Sequence, residues 1–241
     1  MKVILAGATG FIGQELLAQC IANPTITSII ALTRRELPNA PKNDKLRTYI
    51  MTDDDWTSYS NPALKSELQG AKACLWTIGL TPAKAKDDDI TKKVSVELPK
   101  RAAEAFSEAF SKAFEEGKNL NGDGEGDGKG KFRFVFISGT AAVRDQNQSL
   151  WYWGDFRRLR GESENVLFRH EEANPSTFET YIMRPGPVPS GAWSFKDTVA
   201  GLLGFVDVHI LARAMIRLAL NGNEDGERTF YNNAMRELGE K

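Results

Sequence analysis

The chain has 241 residues, 41% hydrophobic and 26% charged, with 31 Lys and Arg against 32 Asp and Glu for a formal net charge of −1. That length suits one large α/β domain, alone or with a small appendage. The near-neutral balance gives no basic field for nucleic acid, and no apolar run approaches the roughly 18 residues that a membrane span requires.

Residues 2–6 are an apolar run short enough for a buried parallel strand, and residues 14–22 read as a helix. Between them lies Gly7-Ala8-Thr9-Gly10-Phe11-Ile12-Gly13. A strand, a glycine turn and a helix in that order form a dinucleotide-binding unit. The first Gly permits the tight turn, the second lets backbone approach a pyrophosphate, and the third lets helix pack closely on sheet. Gly7, Thr9, Gly10, Phe11, Ile12 and Gly13 are the expected phosphate-binding residues.

Residues 26–33 form a second β-branched strand pattern ending in Arg34-Arg35, about twenty residues past the third glycine. An acidic residue there would accept from the ribose hydroxyls of NAD. Two guanidinium groups suit the additional 2′-phosphate of NADP, so Arg34 and Arg35 favour NADP(H). The other reading of the pair is a solvated basic strand end.

Further strands are expected at 46–50, ending near Asp53-Asp54-Asp55, at 73–79, at 132–138, at 180–183 and, briefly, at 228–231. A long helix is expected from 90 to 115, begun or interrupted near Pro99, and another over 206–220. Strands alternating with helices predict a Rossmann-type doubly wound parallel sheet, of class α/β. Residues 117–131 carry glycines and charges with almost no apolar content and predict a mobile loop; its acidic residues lack calcium-ligand spacing. Residues 1–185 are read as the nucleotide-binding domain and 186–241, after Pro185-Gly186-Pro187, as a small substrate-covering lobe packed on it.

Cys20 and Cys74 lack metal-ligand spacing and predict buried reduced thiols, with neither disulfide nor metal site. With Met1-Lys2 running directly into the first strand no signal peptide is expected, and a cytoplasmic location follows. His170 and His209 fall away from strand ends and are assigned no catalytic role.

The chain resembles the short-chain dehydrogenase/reductase superfamily, in its atypical NADP-binding branch. The resemblance rests on Gly7 to Gly13, Arg34-Arg35, Thr77-Ile78-Gly79, Ser138-Gly139, Gly161-Glu162-Ser163-Glu164, Arg184-Pro185-Gly186 and Val206-Asp207-Val208. It implies cofactor contacts from Thr77, Gly79, Pro185 and Gly186 and an adenine contact from Asp53 or Asp54, and it makes Ser138 the residue that orients a substrate oxygen. It also implies a Tyr whose phenol exchanges a proton with the substrate and a Lys four residues later. Aligned on Gly161-Glu162, those positions hold Phe156 and Arg160. Phenylalanine has no exchangeable proton; Arg160 can hold ribose hydroxyls but does not shuttle protons at neutral pH.

Tyr152 is then the substitute proton donor if the chain is still a loop there, while Asp155 reads more simply as a helix-start residue. Trp151, Tyr152 and Trp153, with Trp193 and Phe195, are expected to flank the nicotinamide end of the crevice, either as a platform for an aromatic or polycyclic substrate or as packing. The leading expectation is an NADP(H)-dependent oxidoreductase acting on a carbonyl of a small molecule. Loss of the Tyr leaves open a non-redox isomerase, cyclase or dehydratase, or a non-enzymatic NADP(H) sensor. A small-molecule substrate is the expected partner; related proteins often pair helices across a dimer interface, which leaves a homodimer open.

Overall fold

The computed structural model describes residues 1–37, 41–81, 85, 87–115, 130–189 and 204–240, with Phe114 and Glu115 as backbone only. Residues 117–129 of the expected loop, and Trp193 and Phe195, lie outside the described residues.

One sheet contains β1 (Lys2–Ala6), β2 (Ser28–Thr33), β3 (Leu46–Ile50), β4 (Ala71–Trp76), β5 (Phe132–Ile137), β6 (Phe178–Met183) and β7 (Thr229–Phe230). Their spatial order is β3-β2-β1-β4-β5-β6-β7, and every neighbouring pair is parallel. The described helices are α1 (Phe11–Ala22), α2 (Asp53–Ser58), α3 (Pro62–Leu68), α4 (Asp88–Lys92), α5 (Leu98–Glu115), α6 (Gly154–Ala173), α7 (Val208–Asn221) and α8 (Asn232–Glu240). Strand order reverses between β1 and β4, which opens a crevice at the carboxyl ends of those strands.

Side chains alternate across a strand, so each buried strand feeds two cores. Val3 and Leu5 of β1 face a core built with Leu16 and Cys20 of α1 and Leu211, Met215 and Leu218 of α7. Ile4 and Ala6 face the other, with Trp56, Leu64, Phe106 and Phe110 from α2, α3 and α5. On that second face Trp76 of β4 stacks on Phe134 of β5 at a ring separation of 5.8 Å. Among the described residues no helix is long and apolar enough to cross a membrane.

The expected helix over 90–115 divides in three. A π-helical segment, Lys93–Glu97, joins α4 to α5, and the Ser95 carbonyl accepts a hydrogen bond from the Ser163 hydroxyl of α6 at 2.6 Å. A π turn changes the helical bonding register and frees carbonyls for such partners. Helices α2, α3 and α8 were not anticipated. The acidic stretch after β3 begins α2: Thr52 accepts from the Asp55 amide and Asp55 accepts from the Thr52 amide, a reciprocal capping box. Asn61 caps α3 ahead of Pro62 by a single bond, its side-chain oxygen accepting from the Ala63 amide.

The described residues after 186 pack on the sheet. Its β7 extends the sheet beside β6, and its α7, capped by Asp207, contributes buried side chains to the first core.

Candidate functional site

The glycine turn is built as its three glycines require. Gly7 has φ +96°, a region costly to any residue with a Cβ, and a Cβ there would lie 2.4 Å from Thr77 Oγ1. A Cβ on Gly13 would lie 2.0 Å from the Gly7 carbonyl oxygen, so only glycine lets α1 approach the end of β1 this closely. Helix α1 begins at Phe11, three residues earlier than periodicity suggested, because Gly10 takes the extended N-cap conformation. Gly10 offers no side-chain cap and the first turn has no acidic residue. The amides of that turn and the positive end of the helix dipole are thereby left for an external anion.

A cavity of about 650 Å³ lies in front of this turn. Gly10, Phe11, Ile12 and Gly13 line one side, Thr77, Gly79 and Thr81 follow β4, Ser138 to Ala142 follow β5, and Pro185 to Val188 follow β6. Phe156, Arg157 and Arg160 enter from α6. Of the residues expected from sequence, ten line this space: Gly10, Phe11, Ile12, Gly13, Thr77, Gly79, Ser138, Arg160, Pro185 and Gly186. Thr140, Ala141, Arg157, Pro187 and Val188 were not anticipated there; for all but Arg157, which enters from α6, nearness to a strand end was the available signal. Another cavity, about 550 Å³, lies between α2, α3 and α5, where Arg101 pairs with Glu104 and Lys112 with Glu108 along α5.

Arg160 joins the ends of two strands. Its Nη1 donates to the Ser138 carbonyl at 2.6 Å and its Nη2 to the Leu80 carbonyl at 2.9 Å, with the Phe156 ring 5.2 Å away. Burial pulls its pKa below the usual guanidinium value, and attraction to Glu164 opposes that fall. Arginine titrates so far above neutrality that the group stays charged.

Ser138 is at the expected strand end, but its hydroxyl serves a different partner. It donates to Glu164 Oε1 at 2.5 Å. Glu164 is fully buried and receives Arg144 Nε at 2.6 Å and Arg184 Nη2 at 2.6 Å. Burial works against the Arg184 charge, yet its bonds and attraction to Glu164 prevail and raise its pKa above the ordinary value. Arg144 also donates to Thr229 and Arg184 to the Tyr231 hydroxyl, so the network ties β5, β6, β7 and α6 together. Gly161 makes this approach possible, since a Cβ there would lie 1.7 Å from the Val143 carbonyl oxygen. Glu164, Arg184 and Arg144 were missed as site-building residues; a carboxylate three positions past the Gly161 signature was the clue.

Tyr152 is not brought to the cavity lining. Trp153 has φ +46° immediately before α6, and Trp151, Tyr152 and Trp153 project outward with 97%, 52% and 54% exposure. Tyr152 stacks on Trp153 at 4.6 Å instead. Asp155 forms an ion pair with Arg158 at 2.7 Å. Gly7 lies beneath the turn, and exposed Thr9 accepts from Gln14 through its carbonyl. Arg34 and Arg35 are exposed just beyond β2, whose Leu32 pairs with Ala6, so they stand at the level of the glycine turn. Asp53 opens α2 and is exposed; it is not among the cavity residues.

No family model matches the chain. It is 32% identical over 107 residues to the leucinostatins biosynthesis cluster protein T of Purpureocillium lilacinum, covering 44% of this chain and 38% of that protein. It is 31% identical over 112 residues to the mitochondrial protein FMP52 of Candida albicans, covering 46% and 48%. The matched region thus spans less than half the length of either relative. Among solved structures, a short-chain dehydrogenase from Streptomyces avermitilis superposes with a TM-score of 0.64 at 16% identity, over 98% of this chain and 90% of that one. Gre2 of Candida albicans in complex with NADPH gives 0.60 at 20%, over 96% and 78%. MoeE5 in complex with UDP-glucuronic acid and NAD gives 0.64 at 15%, over 96% and 76%. The chain therefore has the Rossmann-type parallel α/β fold of these dehydrogenase and reductase structures.

Proposed function

We propose that the chain binds NADP(H) at the carboxyl ends of β1 and β4 and acts as an oxidoreductase on a small molecule held in the adjoining cavity. The observation that carries this reading is the uncapped N-terminus of α1, pressed against Gly7 so closely that no side chain fits between them. Such a cradle fits a pyrophosphate. The solved neighbours support a nicotinamide dinucleotide, since Gre2 is in complex with NADPH and MoeE5 with NAD. Arg34 and Arg35, exposed at the level of the turn, support the phosphorylated form.

When bound, the cofactor supplies or accepts a hydride. The residues of this chain hold and orient: Gly10 to Gly13 take the pyrophosphate, Arg34 and Arg35 the 2′-phosphate, and Arg160 reaches the nicotinamide ribose with an N–H left over from its two carbonyl bonds. Ser138, which donates to Glu164, presents its oxygen lone pairs as an acceptor.

A second reading is favoured by Phe156, which lines the cavity where the resemblance implies a phenol, with Tyr152 outside. In it the bound cofactor is sensed, or serves as the floor of a non-redox site. Titration with NADPH, NADP, NADH and NAD tests the cofactor assignment. The phosphorylated forms are expected to bind at least tenfold more tightly, and Arg34→Ala with Arg35→Ala to remove that preference. Equal affinity for all four overturns the assignment, and turnover of a small molecule without net NADPH oxidation favours the second reading.

A further inference from the structure

Arg157 is a cavity-lining cation to which the functional reading gives no role. On the same helix Arg158 pairs with Asp155 and Arg169 with Glu162, while Arg160 gives two nitrogens to the carbonyls of Ser138 and Leu80. Among the described residues, the partly exposed Arg157 side chain donates only through Nε, to the Ala141 carbonyl at 2.9 Å. That bond holds the guanidinium against the chain that follows β5. It leaves the N–H groups of Nη1 and Nη2, an end-on fork that matches two carboxylate oxygens. No carboxylate is among the described residues that line the cavity, so none competes for this fork from within it.

Position along α6 separates Arg157 from the cofactor. Three residues apart, Arg157 and Arg160 share a face of the helix, about one turn from each other. With Arg160 at the nicotinamide ribose, Arg157 lies nearer the start of α6, next to Phe156, the position that the resemblance gives to the group meeting the substrate. The wall it joins is apolar, with Ile137, Ala142, Phe156, Pro187 and Val188. We infer that the substrate is an apolar molecule bearing a carboxylate, that Arg157 takes the carboxylate, and that the body of the molecule lies against Phe156. A guanidinium already held in place loses little freedom on pairing, and its partial exposure keeps the ion pair partly hydrated, which limits the cost of desolvation. This deepens the reading above and rests on it for one point, that the cofactor takes Arg160 and the α1 side.

The test is calorimetric titration with 2-naphthoate and with 2-naphthamide, its uncharged counterpart, using the protein with and without saturating NADPH. Wild type is expected to bind the carboxylate at least tenfold more tightly than the amide in both states, and Arg157→Met to lose that preference. Arg158→Met removes the same charge one residue away, at a side chain outside the cavity lining, and is expected to keep it. Equal affinity for the two probes in wild type, binding of neither, an undiminished preference in Arg157→Met, or an equal loss in Arg158→Met overturns the inference. If Arg157→Met does not fold, Arg157→Gln, which keeps a donor for the Ala141 carbonyl, takes its place. If NADPH does not bind, the functional reading falls by itself, while wild type against Arg157→Met without cofactor still decides this one.

Discussion

The Ser138 hydroxyl donates to Glu164 across 2.5 Å, 26 residues apart in sequence, at the carboxyl end of β5. This bond ties the residue expected to orient a substrate to a buried carboxylate. Glu164 is in turn held between Arg144 and Arg184. Removing one member of such a buried group strands the others without compensation, at a cost of about 3–5 kcal/mol. Glu164→Gln is expected to lower stability by that amount in urea denaturation. Ser138→Ala, which leaves both arginines paired, is expected to cost about 1.5–3 kcal/mol, the value of a hydrogen bond to a charged group. A loss below about 1 kcal/mol for Glu164→Gln contradicts the network.

Gly13→Ala places a methyl group against the Gly7 carbonyl. Overpacking at such a contact costs roughly 1–3 kcal/mol, and the shift of α1 also moves the amides that face the cavity. Reduced thermal stability and at least tenfold weaker NADPH binding are expected together. Gly70→Ala serves as a control for strain alone: Gly70 has φ +75° with nothing within 4 Å of its would-be Cβ, and its replacement is expected to cost stability without altering NADPH affinity.

Cys20 and Cys74 are both free and buried. Burial pushes the Cys20 thiol up to about 12 and the Cys74 thiol well above its ordinary value. Reactivity requires thiolate and access, so a disulfide reagent such as dithionitrobenzoate is expected to leave the native protein unlabelled and to modify both cysteines in denaturant. Rapid labelling of the native protein contradicts the packing of α1 and β4.

His209 of α7 and Glu15 of α1 are 2.7 Å apart. The hydrogen bond to Glu15 raises the His209 pKa, partly offset by burial, with the Glu15 charge adding to the rise. Since the folded value exceeds the unfolded value near 6.5, the contribution is fully present below that pH and disappears as pH rises through the folded value. His209 is largely exposed, although Glu15 is only 19% so, and solvent screening limits the pair to under about 1 kcal/mol. Unfolding midpoints from pH 5 to 8.5 are expected to show this component in wild type and to lose it in Glu15→Gln. Identical pH profiles rule out the link.

The parallel α/β order, the glycine turn and the basic end of β2 could be read from local pattern because each is written in neighbouring residues. Apolar runs specify buried strands, and Gly7, Gly10 and Gly13 meet steric demands set within a single turn. The short helices α2 and α3 escaped that reading because six or seven residues give little periodicity; their evidence was in the caps at Thr52 and Asn61. The chemistry of the cavity depended on tertiary contact. Arg160 meets the Leu80 carbonyl 80 residues away, Arg184 meets Glu164, and the left-handed turn at Trp153 carries Tyr152 away from the lining. Hydrogen-bond partners and the direction a side chain takes are decided by which strand ends and helices converge, and spacing along the chain does not encode that convergence.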